Sequence, residues 1–540
     1  MSYDIIIKNG KIIDGTGNPS YSGEIAIKNG KIAKIRYKIN DEAQKHIDAT
    51  GLIVCPGFID MHSHTDWILP VNRSQESTLC QGITTSVVAM CGEGNAPIPY
   101  GQEEEFKKMM GERNRIFEQL EYPYHTFDEY LNYIDKLKNT ANLIFMVGYK
   151  NLRFAGGQWV ENRPANKEEL EIMKKYLREA MEAGAFGMST GLIYAPQVFG
   201  TTEELVELAK VIAEYGGLYF SHIRGEGETV IKAVEELIEI VEKSGCAGGQ
   251  IAHHKICGEN YWGRSRETVR LMKEANQRGI NISCDQYPYN RKMSNLITAL
   301  PSWVREGENQ DILERIKQPE IKEKIRKEVE SNSKDWENWI RDEGFKNMYI
   351  VSVDKVEWKD IIGKNIPEIT KIRGFSNDWE TCFKLLIEND LKVMITIESM
   401  AEDDIRRIMT SHYSMIGTDG FGLPASFRFG ALHPRCFGTY PRILEKYVRE
   451  DKLLTLEEAI RKMTSFPAQR LGLRDRSLVL EGNWADIVLF NLNTVRDVGT
   501  YENPYQLPEG ILHVIVNGVV VVENGKLRKK YPGMVIRRPT

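Results

Sequence analysis

Two histidines one residue apart, His62 and His64, are the first residues in the chain whose types and spacing could do chemistry. They end a short apolar run. In an extended strand side chains alternate between faces, so both imidazoles point the same way while Ser63 turns aside. Two imidazoles directed into one space indicate a metal site. At this point a pair of hydrogen-bonded histidines at a strand end is an equally open interpretation.

Other side chains that bind metals follow other apolar runs. They are Cys91, His222, the adjacent His253 and His254, and Asp419. A thiolate, imidazoles and a carboxylate together make the kind of site that zinc occupies. Each also has a structural interpretation, with Cys91 as a buried small hydrophobe, His222 as a strand cap and Asp419 as a turn residue before glycine. Strand alternation requires one of the two adjacent histidines to face away.

Eight apolar segments predict the strands that position these side chains. They cover residues 54–61, 83–90, 143–147, 185–189, 218–221, 250–252, 282–285 and 415–418. Helix-period segments lie between several of them, at 167–184 and 228–245 for example, which indicates βαβ units and a parallel sheet. We therefore expect an α/β fold, a (β/α)8 TIM-type barrel over residues 56–469. Active sites in such barrels lie at the carboxyl ends of the strands, where the candidate ligands fall.

The two ends of the chain share a sequence pattern typical of β-strands and hairpin turns, which the middle lacks. Apolar runs broken at Asn-Gly and Asp-Gly fill residues 4–36 and return at 485–492 and 511–527. This pattern predicts one small, β-sandwich-like domain built from residues 1–55 and 470–540.

The gap between the seventh and eighth expected strands is too long for an ordinary crossover. Residues 290–347 are rich in charge and predict a helical insertion or lid within the barrel. Trp303, Trp336 and Trp339 favour a packed segment over a disordered one, because they need a core to pack against. A charged decoration without a role in chemistry is the alternative.

Composition excludes several classes of protein. Of 540 residues, 41% are hydrophobic and 27% charged, which is ordinary for a globular protein. The net charge of −5 does not indicate the positively charged surface that nucleic-acid binding requires. No stretch reaches the ~20 apolar residues of a membrane span, and the N-terminus lacks the pattern of a secretory signal. Eight scattered cysteines without a paired framework predict reduced thiols and a cytoplasmic protein.

A series of motifs in chain order resembles one known family. The motifs are HSHTDW, MCGEGNAP, STGLIYAP, SHIRGEG, AHHK, DQYPY, GTDG and HPRCFGTYPRIL. Together they resemble the N-acyl-D-amino-acid deacylases (D-aminoacylases) of the amidohydrolase superfamily, from about residue 3 to residue 530. The resemblance implies a metal-dependent amidase on a (β/α)8 barrel.

The resemblance also implies a ligand set for zinc. Cys91, His222 and His253 match the positions that hold one zinc tightly, while His62 and His64 match a weaker second position close to Cys91. Many other amidohydrolases bridge two metals with a carboxylated lysine after the fourth strand. This chain has no lysine there, and the cysteine thiolate is the natural substitute.

Further roles follow from the same resemblance. Asp419 matches the general base, and Lys255, Tyr194, Tyr289 and Arg435 match positions that contact substrate. A guanidinium binds a carboxylate in bidentate fashion, so Arg435 is the better candidate for the carboxylate of the amino acid and Lys255 the second. After Tyr289 the run NRKMSNL replaces a small, Gly/Ser-rich segment of the family, so the acyl or side-chain pocket is expected to differ.

The sequence thus predicts zinc-dependent hydrolysis of N-acyl-D-amino acids, which are small-molecule substrates. Another amidohydrolase reaction, on a cyclic imide, a hydantoin or a dipeptide, is the alternative, and a non-catalytic scaffold is a third interpretation. Arg153, Arg224 and Arg435 could favour an acidic substrate side chain, although Arg153 and Arg224 equally fit structural ion pairs. A homo-oligomer and the number of metals stay open.

Overall fold

The computed structural model describes residues 2–111, 120–331, 336–428, 430 and 432–539. Within them, strands from both ends of the chain form one nine-stranded sheet. Its strands are Tyr3–Ile12, Tyr21–Lys28, Lys31–Arg36, Ala43–Asp48, Ile53–Pro56, Ile487–Phe490, Ile511–Val516, Val519–Glu523 and Lys526–Leu527. Ile53–Pro56 joins the two ends, since it pairs with Tyr3–Ile12 in parallel and with Ile487–Phe490 antiparallel.

Two Asn-Gly pairs form the hairpin turns that the sequence pattern indicates. Asn29 and Gly30 have φ values of 52° and 80°, and Asn517 and Gly518 have 46° and 78°. Positive φ at both central residues is what a type I′ turn requires, and asparagine followed by glycine adopts it at low cost. The turns therefore set the register of the strands that flank them.

Eight parallel strand positions form the barrel. They are Phe58–Asp60, Ile83–Val88, Asn142–Phe145 continued by Val147–Gly148, Gly187–Gly191, Leu218–His222, Gly248–Ile251, Ile282–Gln286 and Ser414–Ile416. The first and eighth positions are neighbours, because the Met61 N–H donates to the Ile416 carbonyl at 3.2 Å. The strands are buried along their length, as a barrel covered by helices demands. The predicted fold class is confirmed.

One expected strand, 54–61, is two strands in different sheets. Ile53–Pro56 belongs to the nine-stranded sheet and Phe58–Asp60 to the barrel. Gly57 separates them, and its N–H donates to the Asp486 carbonyl at 2.8 Å. A Cβ at this position would lie 2.2 Å from Thr84 Oγ1, so only glycine fits where the chain passes from sheet to barrel.

Helices cover the barrel. They are Glu76–Cys80, Glu103–Gly111, Phe127–Lys136, Tyr149–Ala155, Lys167–Glu182, Thr202–Glu214, Val230–Ser244, Ser265–Gln277, Glu402–Thr410, Arg435–Arg442 continued by the π-helix Ile443–Glu450, Leu456–Met463 and Ser465–Leu471. The Asn166 side chain caps Lys167–Glu182 by accepting from the N–H groups of Glu168 and Glu169. Among the helices of the described residues, none is long and apolar enough to cross a bilayer.

The segment between the seventh and eighth strands is larger than the expected insertion and is not only helical. Its helices are Asn309–Lys317, Pro319–Glu330, Trp339–Asp342, Ile366–Arg373 and Asp378–Glu388. It also contains an antiparallel sheet of Arg291–Asn295, Met348–Val353 and Val393–Glu398. Trp336 and Trp339 are buried in a separate hydrophobic cluster. Residues 332–335 of the expected insertion lie outside the described part of the chain.

Candidate active site

The Cys91 thiol lies between two groups of histidines. Its Sγ is 3.4 Å from His253 Nε2 and 3.9 Å from His222 Nδ1. On the other side it is 3.4 Å from His62 Nε2. Cys91 with His222 and His253 forms one cluster that could hold a metal ion, and Cys91 with His62, His64 and Asp419 forms another. The structure therefore brings together all the metal ligands that the sequence suggests.

The first cluster fits a zinc ion. In a tetrahedral site with usual bond lengths, a ligand sulfur and a ligand nitrogen lie about 3.6 Å apart, close to the separations of Cys91 from His222 and His253. Burial is the main cause that lowers the pKa of His62, His222 and His253. The imidazoles are therefore neutral at physiological pH, which is the form that binds metals.

Left-handed backbone conformations turn three of these side chains into the barrel mouth. Cys91, His253 and Asp419 have φ values of 53°, 34° and 48°. Such conformations are costly for residues other than glycine and cluster at functional sites. Gly92, which follows Cys91, leaves room for the Gln197 side chain, because a Cβ at position 92 would lie 1.8 Å from Gln197 Oε1.

The adjacent histidines separate as strand alternation predicts. His253 faces Cys91, whereas His254 Nε2 lies 2.8 Å from Thr268 Oγ1 on a surrounding helix. Asp285, at the end of the next strand, accepts the His253 N–H at 2.7 Å. Burial raises the pKa of Asp285 to about 8. Asp285 therefore fixes the backbone of His253, and the same Oδ1 lies 3.5 Å from the ring nitrogen Nδ1 of His62.

Glu226 is a functional candidate that the sequence interpretation missed. Its Oε1 lies 3.2 Å from His253 Nδ1 and 3.7 Å from His222 Nε2. In each ring this is the nitrogen other than the one nearest the Cys91 thiol. Lys255 Nζ donates to the same oxygen at 2.6 Å. A carboxylate that accepts a hydrogen bond from the second ring nitrogen of a metal-binding imidazole orients the ring. The feature of the sequence that could have indicated Glu226 is its position four residues after His222, in the motif SHIRGEG.

Asp419 lies between one guanidinium and two imidazoles. Its Oδ1 is 3.2 Å from His64 Nε2 and 3.5 Å from His62 Nε2, and its Oδ2 is 2.7 Å from Arg435 Nη1. Burial alone would raise the pKa of Asp419, but the Arg435 guanidinium and the hydrogen bond from His64 hold it well below its ordinary value. The carboxylate is therefore ionised and able to accept a proton.

A cavity at the barrel mouth contains most of the expected substrate contacts. Tyr194, Lys255 and Arg435 line it together with residues of both metal clusters. Tyr289 is not among its described lining residues, and its hydroxyl donates to Asp497 Oδ2 at 2.8 Å. Tyr287, two residues earlier, lines the cavity instead.

Two arginines considered for substrate recognition are structural. Arg153 Nη1 lies 3.1 Å from Glu204 Oε1, and Arg224 Nη2 lies 3.0 Å from Glu236 Oε1. Neither lines the cavity at the barrel mouth. Their charges are therefore compensated within the protein.

Comparison with known proteins agrees with this geometry. A model described as "Amidohydrolase family" matches residues 45–283 and 377–522. An N-acyl-D-glutamate deacylase of Alcaligenes xylosoxydans xylosoxydans is 32% identical over 99% of this chain and 96% of that protein. A D-aminoacylase of the same organism is 31% identical over 99% of this chain and 98% of that protein.

A solved structure extends the comparison to three dimensions. The N-acyl-D-glutamate deacylase from Bordetella bronchiseptica, complexed with zinc and a phosphonate that mimics the tetrahedral intermediate, matches with a TM-score of 0.83. It is 30% identical, and the match covers 99% of this chain and 100% of that chain. The fold and the site thus define a metal-dependent amidohydrolase. Within that class, the chain belongs to the N-acyl-D-amino-acid deacylase (D-aminoacylase) family.

Proposed function

We propose that the protein hydrolyses the amide bond of N-acyl-D-amino acids, which yields a carboxylate and a free D-amino acid. The observation that carries this proposal is the position of the Cys91 thiol, 3.4 Å from both His62 and His253, with the ionised Asp419 beside it. The names of the related deacylases supply the class of substrate.

We assign the tight zinc position to Cys91, His222 and His253, and a weaker second position to His62 and His64 together with Cys91 and Asp419. Two clusters that share the Cys91 sulfur support the assignment. A related D-aminoacylase has a binuclear centre with one-metal activation and second-metal attenuation. We therefore propose that one zinc suffices for turnover in this protein.

Asp419 is proposed as the general base. When bound, zinc supplies Lewis-acid polarisation of the scissile carbonyl and makes the attacking water more acidic. Asp419 takes the proton of that water and passes it to the departing nitrogen, so that the amine leaves neutral. A positioned acid–base group of this kind typically contributes about 10²–10⁴-fold.

Arg435 is proposed to hold the α-carboxylate of the amino acid. It lines the cavity, and its Nε has no hydrogen-bond partner among the described residues. Lys255 is the weaker candidate, because an ammonium group lacks the planar fork with which a guanidinium binds a carboxylate through two hydrogen bonds. Fixing the carboxylate, the amide and the side chain at three points would distinguish D from L enantiomers.

We also propose that the protein acts in the cytoplasm on small molecules. All eight cysteines are free and buried, which agrees with a reducing compartment. The net charge of −5 does not favour nucleic acid.

A substrate panel tests the proposed function. Release of amine is measured from N-acetyl-D-amino acids, from their L enantiomers and from a cyclic ureide such as a hydantoin, and zinc content is measured on the same preparation. We expect turnover of D substrates alone. Preferred turnover of the ureide, or of L substrates, would overturn the proposal in favour of another amidohydrolase reaction.

A further inference from the structure

A second cavity adjoins the one at the barrel mouth. The two cavities share Tyr194 and Asn295 in their walls. The Tyr194 ring is 5.1 Å from the ring of His222, a proposed zinc ligand. A group attached to a bound substrate could therefore extend past Tyr194 into the second cavity.

The wall of this second cavity is positively charged. Lys150, Arg305 and Lys392 line it, and no aspartate or glutamate does so among the residues that the structure describes. Lys150 Nζ is 3.9 Å from Glu93 Oε1, a carboxylate that lines the first cavity. The cavity thus presents an excess of cations next to a metal site.

Arg305 is the unusual member of this set. Its side chain is buried, with 6% of the residue exposed. Nη1 donates to the Ile193 carbonyl at 2.6 Å, and Nε is buried without an acceptor in the described part of the chain. Burial lowers the pKa of Arg305 to about 10, which leaves the guanidinium charged at neutral pH. A buried charge without a counter-ion is costly, and proteins keep such groups mainly at functional sites.

Other buried cations near the barrel mouth are compensated. Lys292 lies 3.0 Å from Glu343, Lys255 lies 2.6 Å from Glu226, and Arg435 lies 2.7 Å from Asp419. Arg305 has no carboxylate within 4.0 Å among the described residues. Glu337 borders a smaller cavity with Arg305, but its Oε1 accepts the Glu226 N–H at 2.7 Å.

We propose that the second cavity, here called the Arg305 pocket and lined by Arg305, Lys150 and Lys392, binds a carboxylate that the substrate carries beyond its scissile amide. This inference rests on the proposed function. A planar guanidinium binds a carboxylate through paired hydrogen bonds, and Lys392 adds charge at the rim. The carboxylate belongs either to the side chain of an acidic D-amino acid or to a dicarboxylic acyl group.

Three substrates separate these sources. N-Acetyl-D-leucine has no second carboxylate, N-acetyl-D-glutamate has one on the side chain, and N-succinyl-D-leucine has one on the acyl group. Each is assayed with the wild type, with Arg305→Met and with Lys392→Met. Lys371→Met is the matched control, because Lys371 is exposed on the same insertion and lines neither cavity.

We expect Arg305→Met to lower kcat/KM by roughly 10- to 100-fold for one anionic substrate, mainly through KM, as loss of a hydrogen bond to a charged group would. Turnover of N-acetyl-D-leucine should not change, and Lys392→Met should show a smaller loss with the same substrate. The affected substrate identifies the source of the carboxylate. Equal losses for all three substrates, or no loss for any, would overturn the inference.

Equilibrium binding keeps this inference distinct from the proposed function. Calorimetry with the same three compounds is done on zinc-loaded protein that carries Asp419→Asn, alone and combined with Arg305→Met or Lys392→Met, so that binding to the Arg305 pocket is measured without turnover. Tighter binding of an anionic compound to the Asp419→Asn protein than to the combined variants supports the pocket, even if the wild type hydrolyses none of the three. Binding affinities that neither substitution changes would overturn the inference, even if the wild type hydrolyses the compounds. Lys392→Met also serves if Arg305→Met does not fold.

Discussion

Arg435 and Asp419 form a buried ion pair in which Nη1 of the arginine lies 2.7 Å from Oδ2 of the aspartate. The other carboxylate oxygen lies 3.2 Å from His64 Nε2. Asp419 therefore joins the proposed metal clusters to the residue proposed to hold the substrate. Replacing either partner should have consequences that kinetics can separate.

Asp419→Asn should retain zinc and lose about 10²–10⁴-fold in kcat, because the amide has nearly the same shape but cannot accept a proton. Elemental analysis and turnover of an N-acetyl-D-amino acid measure both quantities on one sample. Near-normal turnover would remove Asp419 from the role of base.

Two substitutions of Arg435 should behave differently. Arg435→Lys keeps a positive charge near Asp419 but loses the planar fork, so we expect a higher KM with kcat largely kept. Arg435→Ala should raise KM and also lower kcat, because Asp419 loses its counter-ion. Steady-state kinetics of both variants check this, and a lower kcat with unchanged KM in Arg435→Lys would contradict substrate binding by Arg435.

Cys91→Ala should lose both zinc and activity, since it removes the ligand that the two clusters share. Cys382→Ala is the matched control, because Cys382 is buried in the hydrophobic cluster of the insertion. Zinc per chain, measured after dialysis, should fall only in Cys91→Ala. Full zinc content in that variant would make Cys91 a structural thiol.

Glu226→Gln should weaken zinc binding by about 10- to 100-fold, the usual effect of removing a carboxylate that orients a metal-binding histidine. The control is Glu228→Gln in the same loop, whose carboxylate lies 2.8 Å from Arg341 Nη2. Zinc affinity is measured by competition with a chelator. Equal affinities for the two variants would show that Glu226 does not orient His222 or His253.

The barrel was predictable because its strands are short, apolar and separated by helix-period segments. The grouping of the candidate ligands was predictable because these histidine, cysteine and aspartate residues follow the strands of one expected barrel, whose carboxyl ends meet at one mouth. Strand alternation also predicted that one of the two adjacent histidines faces away from the site. That histidine is His254, which contacts Thr268 and not the thiol. Local rules of this kind act over a few residues and are readable in one sequence.

Interactions between distant segments were not predictable. The Gly57 boundary depends on Thr84, and Arg153 has Glu204 as a neighbour where Arg305 has no carboxylate among the described residues. The sheet of the insertion pairs Arg291–Asn295 with Val393–Glu398 across about a hundred intervening residues. Such contacts are set by tertiary packing, which leaves little trace in local composition.

Lys462 should make stability depend on pH away from the active site. It is buried and donates to the Ser414 carbonyl at 3.0 Å, at the start of the eighth barrel strand. Burial lowers the pKa of Lys462 from 10.5 to about 8. Between these values the unfolded chain binds more protons than the folded protein, so the free energy of unfolding rises with pH, by on the order of 3 kcal/mol in all.

Below about pH 8 both states hold the proton of Lys462, and the cost of burying the charge is present in full. Lys462→Met removes that cost, so the variant should gain most over the wild type near pH 7 and least near pH 10. Thermal unfolding of the zinc-loaded proteins at both pH values measures the difference. A difference that is the same at both would show that Lys462 titrates normally in the folded protein.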